Sequence, residues 1–183
     1  MDARNYAASE TLKDGTAVTV RAIRPGDAGA LLEAFKSLDR ESVYRRFFSP
    51  KKELSPAELD QLTDVDFSQV VALVVMTESS EGENLIGGGR YAVEDPASSA
   101  AEIAFMTGGS HRGLGIASLI LKHLVLIGRE AGISRFEAEV LAENQPMLAV
   151  FRRSGLPMKL RRDGSTIHVT LSLASEKEPQ HGT

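Results

Sequence analysis

Cysteine is absent from the 183-residue sequence, which removes a disulfide framework, thiolate ligation of zinc or iron–sulfur clusters, and a cysteine nucleophile together. A basic excess is missing too: 21 Lys and Arg stand against 25 Asp and Glu, a formal charge of -4. Neutralising nucleic-acid phosphates uses the opposite balance, so nucleic acid is not expected as a partner. No apolar run reaches the roughly 18 residues of a membrane span, so no membrane partner is expected either. Behind Arg4 the N-terminus has no apolar stretch of the signal-peptide kind, and the expected location is cytoplasmic. The histidines at 111, 123, 168 and 181 lack paired metal-ligand spacing, and no metal is expected. A P-loop string and a Gly-x-Ser-x-Gly nucleophile elbow are both lacking. The dinucleotide fingerprint fails as well, because Ser118 stands at its third glycine position after Gly113-Leu114-Gly115.

What is present suits one globular domain, since 42% of the residues are hydrophobic. A chain of this length buries roughly 70% of its unfolded surface. Val18–Ile23 alternates as a strand and ends at Arg24-Pro25-Gly26-Asp27, where Asp27 is placed to cap a helix with Ala30, Leu31, Ala34, Phe35 and Leu38 on its apolar face. A second helix is expected over Arg40–Phe48. A third begins at Ser55-Pro56-Ala57-Glu58, an N-cap serine with proline at the first helical position. The opening third thus reads as one strand and about three helices.

The β-branched run Val70–Met76 reads as a buried strand, with Asn84–Val93 as its hairpin partner. Gly87, Gly88 and Gly89 in that partner predict a bulge or a close backbone approach. Ala100–Met106 is a further strand, and a long helix follows from about Leu114 to Ala131, closed by Gly132. Arg135–Leu141 is a strand, Gln145–Arg153 a helix, and Asp163-Gly164 joins a last hairpin. The physical reading is an α/β fold on a mixed, largely antiparallel sheet flanked by helices.

The stretch most informative about chemistry is Ala101-Glu102-Ile103-Ala104-Phe105-Met106 followed by His111-Arg112-Gly113-Leu114-Gly115-Ile116-Ala117-Ser118. It is a strand, a glycine turn and a helix start. First-turn N–H groups lack helical partners and sit at the positive end of the helix, so a turn of little bulk admits a pyrophosphate. A plain tight turn is the competing explanation.

Arg112-Gly113-Leu114-Gly115-Ile116-Ala117 resembles the Arg/Gln-x-x-Gly-x-Gly/Ala motif of the GNAT N-acetyltransferases. Arg24-Pro25, Tyr44-Arg45-Arg46-Phe47, Ala101-Glu102-Ile103-Ala104 and Val140-Leu141-Ala142-Glu143-Asn144-Gln145-Pro146-Met147 bring the resemblance closest to the GNAT domains of bacterial protein-lysine acetyltransferases. The resemblance covers an acyltransferase domain over 18–173, which leaves 1–17 as an N-terminal extension, and the polar stretch from Ala174 onward is expected to be a flexible tail over 174–183. It implies acetyl-CoA as co-substrate, its pyrophosphate held by the backbone of Arg112, Gly113, Leu114, Gly115, Ile116, Ala117 and Ser118. Its pantetheine arm would pair with Phe105, Met106 and Thr107 at splayed strands, with Asn144 across the gap.

The implied reaction is acetyl transfer to an amine, a protein lysine first, by direct attack in a ternary complex. The alternatives are a small-molecule amine, or a non-catalytic acyl-CoA-binding or sensor domain. A lysine keeps its proton to about pH 10.4, so a base is useful, and Glu102 is the candidate; a structural ion pair is the bland alternative for it. Asp64 and Asp66 are candidates for attracting the acceptor, with helix capping as the competing explanation. The chain departs from the common family pattern at Phe151, where a thiolate-protonating tyrosine is usual, and at Gly108-Gly109-Ser110, where close relatives carry an acidic residue. An exposed sheet edge leaves homodimerisation open.

Overall fold

The computed structural model describes residues 1–38, 53–107 and 113–174. The helix expected over Arg40–Phe48 lies outside them. Eight strands form one sheet in the order β1-β2-β3-β4-β5-β6-β8-β7: β1 Ala7–Thr11, β2 Ala17–Ala22, β3 Val70–Ser79, β4 Gly82–Ala92, β5 Ala100–Thr107, β6 Arg135–Leu141, β7 Met158–Asp163 and β8 Thr166–Ser172. Neighbours run antiparallel except β5 and β6, which are parallel. The described helices are α1 Ala28–Lys36, α2 Pro56–Thr63, α3 Ile116–Glu130 and α4 Gln145–Arg153.

The apolar run of β3 is continuous because both of its faces are covered. Val71, Leu73 and Val75 join the core that contains Ile120 and Leu124 of α3, whereas Ala72, Val74 and Met76 pack with Leu31 of α1 and with Leu59 and Leu62 of α2. Helix α2 starts as its sequence demands, with the Ser55 hydroxyl accepting the Glu58 N–H at 3.2 Å.

Both features expected of the glycine run occur. The β3–β4 register shifts between Val75 and Met76, opposite Gly87 and Leu85, so Ile86 is the extra residue of a bulge. A Cβ on Gly87 would stand 2.6 Å from Ile116 Cγ2, and one on Gly89 would stand 2.5 Å from Ile120 Cγ2. The glycines therefore let the first two turns of α3 rest on the backbone of β4. Gly89→Ala is expected to cost about 1–3 kcal/mol through overpacking, read as a fall in the thermal midpoint. An unchanged midpoint would show that α3 can move away freely.

Two expectations are corrected. The described part of the opening third contains two strands, because Ala7–Thr11 pairs with Ala17–Arg21 at the sheet edge. Its residues are small or polar and alternate only between exposed and half-buried, so no hydrophobic period announces it. Tertiary contacts hold it: His123 of α3 is buried, with Nδ1 bonded to the Tyr6 hydroxyl and Nε2 at 2.7 Å from Glu10, which also takes Lys122 at 2.8 Å. Asp27, for its part, makes no side-chain cap to α1. Its carboxylate accepts two bonds from the Arg21 guanidinium, at 2.8 and 2.7 Å, and the Arg24 N–H at 2.8 Å. Both side chains are buried, and the carboxylate serves the charge at the end of β2 while closing the capping box of the short turn Pro25–Asp27 that precedes α1.

Candidate functional site

Strands β5 and β6 pair only where Ala100, Ala101 and Glu102 meet Arg135, Phe136 and Glu137. Beyond that point each keeps its other neighbour: Glu102–Thr107 stays on β4, and Ala138–Leu141 stays on β8. The sheet therefore opens into a V whose inner edges carry strand N–H and C=O groups without a strand partner among the described residues. Such groups are costly to bury unpaired and suit a ligand that carries amides.

A cavity of about 580 Å³ fills this V. Glu102, Phe105, Met106 and Thr107 line it from β5. Gly113, Gly115, Ile116, Ala117 and Ser118 line it from the turn and the first turn of α3, and Asn144 lines it from the opposite side. These ten expected site residues are brought to one cavity. Leu114 does not line it but packs against the core, and Arg112 lies outside the described residues.

The turn has the form an anion requires. Gly113 and Gly115 adopt φ of +78° and +83°, where an L side chain is strained, and Gly115 caps α3 without a side-chain bond. Among the described residues no capping side chain takes the N–H groups of the first helical turn, whose residues Ile116, Ala117 and Ser118 line the cavity. Asn144 caps α4 at the far side of the V, its Oδ1 accepting the Met147 N–H at 3.3 Å, and is itself buried.

Glu102 stands at the closed end of the V on the sheet face opposite Ala101, Ile103 and Phe105, and its side chain is exposed. None of the described ion pairs includes it, although its neighbours Glu137 and Glu139 both engage His168 at 3.5 and 2.5 Å. Partial desolvation raises its pKa, the negative charge of Glu94 adds to this, Arg90 opposes it and Glu139 reinforces it. The same carboxylate lines a second cavity of about 350 Å³ with Glu94, Asp95, Glu137, Glu139 and His168.

Asp64 and Asp66 do not line the 580 Å³ cavity. Asp64 ends α2, its N–H donating to the Asp60 carbonyl. Asp66 accepts the N–H groups of Ser68, Gln69 and Val70, each at 2.9 Å, closing the turn into β3. The Val70 bond leads in holding its pKa below the ordinary value; desolvation opposes it, and the bonds from Ser68 and Gln69 add to the lowering. Phe151 is buried and contacts Phe105, ring centroids 6.2 Å apart, while also lining the cavity. Sequence reasoning missed Lys13 and Arg153, which bring positive charge to the same cavity. Lys13 belongs to a polar hairpin turn with no motif of its own, and Arg153 reads as an ordinary basic helix end.

A family described as "Acetyltransferase (GNAT) domain" matches residues 17–157. The acetyltransferase Pat of Mycolicibacterium smegmatis is 33% identical over 136 residues, covering 74% of this chain and 40% of that protein. The chain thus spans well under half the length of this relative. An acetyltransferase of Pseudomonas aeruginosa is 30% identical over 140 residues, covering 75% of this chain and 74% of that one. Among solved structures, the GNAT domain of S. lividans PAT superposes with a TM-score of 0.81 at 33% identity, over 91% of this chain and 96% of that chain.

Proposed function

The chain belongs to the GNAT acetyltransferase family, and on that premise we propose that it transfers the acetyl group of acetyl-CoA to an amine, the side chain of a protein lysine. The observation that carries this reading is the opened β5–β6 pair beside an uncapped glycine turn. The V offers strand-edge N–H and C=O groups to the pantetheine amides, and the N–H groups of Ile116, Ala117 and Ser118 to the pyrophosphate. The residues present fit such a donor in size as well as in chemistry, since the cavity of about 580 Å³ runs from the α3 turn to Glu102.

On this reading Glu102 takes the proton of the acceptor ammonium, directly or through water, so that the amine nitrogen can attack the thioester carbonyl. A C–N bond forms, the C–S bond breaks, and the CoA sulfur leaves with the electron pair and takes up the second proton, which the acylated nitrogen sheds, so that the products are the N-acetylated amine and the CoA thiol. Proximity in the ternary complex supplies much of the rate, and the absence of cysteine favours direct attack over a thioester on the protein. The neighbouring carboxylates Glu94, Asp95, Glu137 and Glu139 support a cationic acceptor, because negative charge around a cavity raises the local concentration of a lysine side chain. Asp64 and Asp66 would act on the acceptor only from outside the cavity wall.

The test is a calorimetric titration with acetyl-CoA and with free CoA, followed by incubation with lysine-containing protein and mass spectrometry of the lysines. Micromolar binding with lysine acetylation is the expected result. Binding without transfer to any amine would replace the enzyme with a sensor, the alternative motivated by Phe151 and by the missing acidic residue at Gly108-Gly109-Ser110, and no binding would withdraw the reading.

A further inference from the structure

We propose that Lys13, in the turn between β1 and β2, is a phosphate-binding residue of this site, contacting the pyrophosphate at the first turn of α3. The inference rests on the acyl-CoA reading above and adds a residue from a segment that no motif marks.

Hydrogen bonds within the turn close it on both sides of Lys13. The Leu12 N–H donates to the Thr16 carbonyl and the Gly15 N–H to the Leu12 carbonyl, both at 2.9 Å, and the Asp14 carboxylate accepts the Thr16 N–H at 3.0 Å. Lys13 is then fastened to the cofactor turn itself, its N–H donating to the Leu114 carbonyl at 3.4 Å. Its aliphatic stem lies across Gly115: a Cβ built there would meet Lys13 Cε at 3.1 Å and Cδ and Cγ at 3.6 Å. Gly115 therefore serves twice, through its positive φ and by leaving room for this stem. Beyond the stem, Lys13 lines the cavity alongside Gly113, Gly115 and Ser118.

The electrostatics of this placement ask for an anion. A helix N-terminus carries roughly half a positive charge and favours anionic neighbours, yet here a cation is fastened beside it. Lys13 makes no ion pair with any described carboxylate, whereas Lys36 and Lys122 are paired with Glu33 and Glu10. A pyrophosphate placed between the ammonium and the helix N–H groups would turn two like charges into a shared binding site, with charge-assisted hydrogen bonds on both sides. The docking of β1 on α3 through Tyr6, Glu10 and His123 fixes the strand that carries the turn.

The experiment measures the calorimetric Kd of acetyl-CoA and of acetyl-3′-dephospho-CoA, which retains the pyrophosphate, for wild type, Lys13→Met, Lys13→Arg and Lys36→Met. Methionine keeps the stem on Gly115 and removes only the charge. Lys13→Met is expected to weaken both donors by the same factor, about tenfold, with Lys13→Arg restoring most of the affinity and Lys36→Met leaving it unchanged. Equal affinity of Lys13→Met and wild type overturns the proposal. A loss confined to acetyl-CoA overturns it by moving the contact to the 3′-phosphate, and an equal loss in Lys36→Met overturns it in favour of bulk charge. Failure of the wild type to bind either donor is a separate result, which removes the acyl-CoA reading itself.

Discussion

Glu102→Gln is expected to bind acetyl-CoA as wild type does while losing about 100-fold in kcat, the lower end of what a positioned general base contributes. Glutamine preserves the shape and a hydrogen-bonding oxygen, so what it removes is the capacity to hold a proton. The pH profile sharpens the test. The base must be ionised, and partial desolvation together with Glu94 and Glu139 holds its pKa above the ordinary carboxylate value, so the acidic limb of kcat/KM should rise above that value. Glu94→Gln should move the limb to lower pH, and Arg90→Gln should move it to higher pH, since these neighbours act with opposite signs. Wild-type turnover in Glu102→Gln across the whole profile would remove the role.

Stability supplies the control for that variant. A carboxylate whose folded pKa is raised contributes its full stability when protonated, below its unfolded pKa, and the contribution disappears as pH rises through the folded value. At neutral pH the ionised Glu102 therefore works slightly against the fold, and Glu102→Gln should be no less stable than wild type. A variant that loses activity because it unfolds would show the opposite.

The largest expected effect on stability belongs to Asp27→Ala. Removing one partner of a buried ion pair leaves the other charge stranded, which typically costs about 3–5 kcal/mol. The low end applies here, because Glu83 stands 3.7 Å from the same guanidinium and remains. About 3 kcal/mol corresponds to a fall of roughly 6–12 °C in the thermal midpoint of a chain this size. Burial pushes the Asp27 pKa up, but the Arg21 hydrogen bonds and the Arg24 N–H outweigh it and hold the group below its ordinary value. Its stabilisation is thus present above the unfolded pKa and lost as pH falls through the folded one, so the gap between wild type and variant should close on acidification. The double variant Arg21→Met, Asp27→Leu should recover most of the loss, because apolar replacement of a whole buried pair is often neutral. A small, pH-independent effect of Asp27→Ala would show that Glu83 and water suffice for Arg21.

The consequence reaches the site through α1. The pair joins β2 to the start of that helix, and α1 lines a further cavity with Met106 and Thr107, the residues at the open end of β5. Loss of the pair is expected to loosen the side of the V away from α3.

The amino-acid sequence by itself determined the elements with a strong local period. β3, β6, α3 and α4 follow from runs of apolar residues at strand or helix spacing, and Ser55, Gly132 and Gly164 mark ends through capping or positive φ. The glycine turn was legible for the same reason, since room for an anion at a helix start is a local property of the backbone. The tertiary structure decided whatever depends on partners distant in the chain. Ala7–Thr11 became a strand only because β2 offered it an edge and His123 a buried anchor more than a hundred residues away. Asp27 became an ion-pair partner as well as the capping carboxylate of the short turn that leads into α1, because the fold buried Arg21 beside it. The pairing of β5 with β6 for three residues and no further, which opens the cavity, is likewise invisible in either strand alone. Local propensity reports what a segment can form. Which carboxylate meets which cation, and where two strands part, depends on the geometry of the whole sheet.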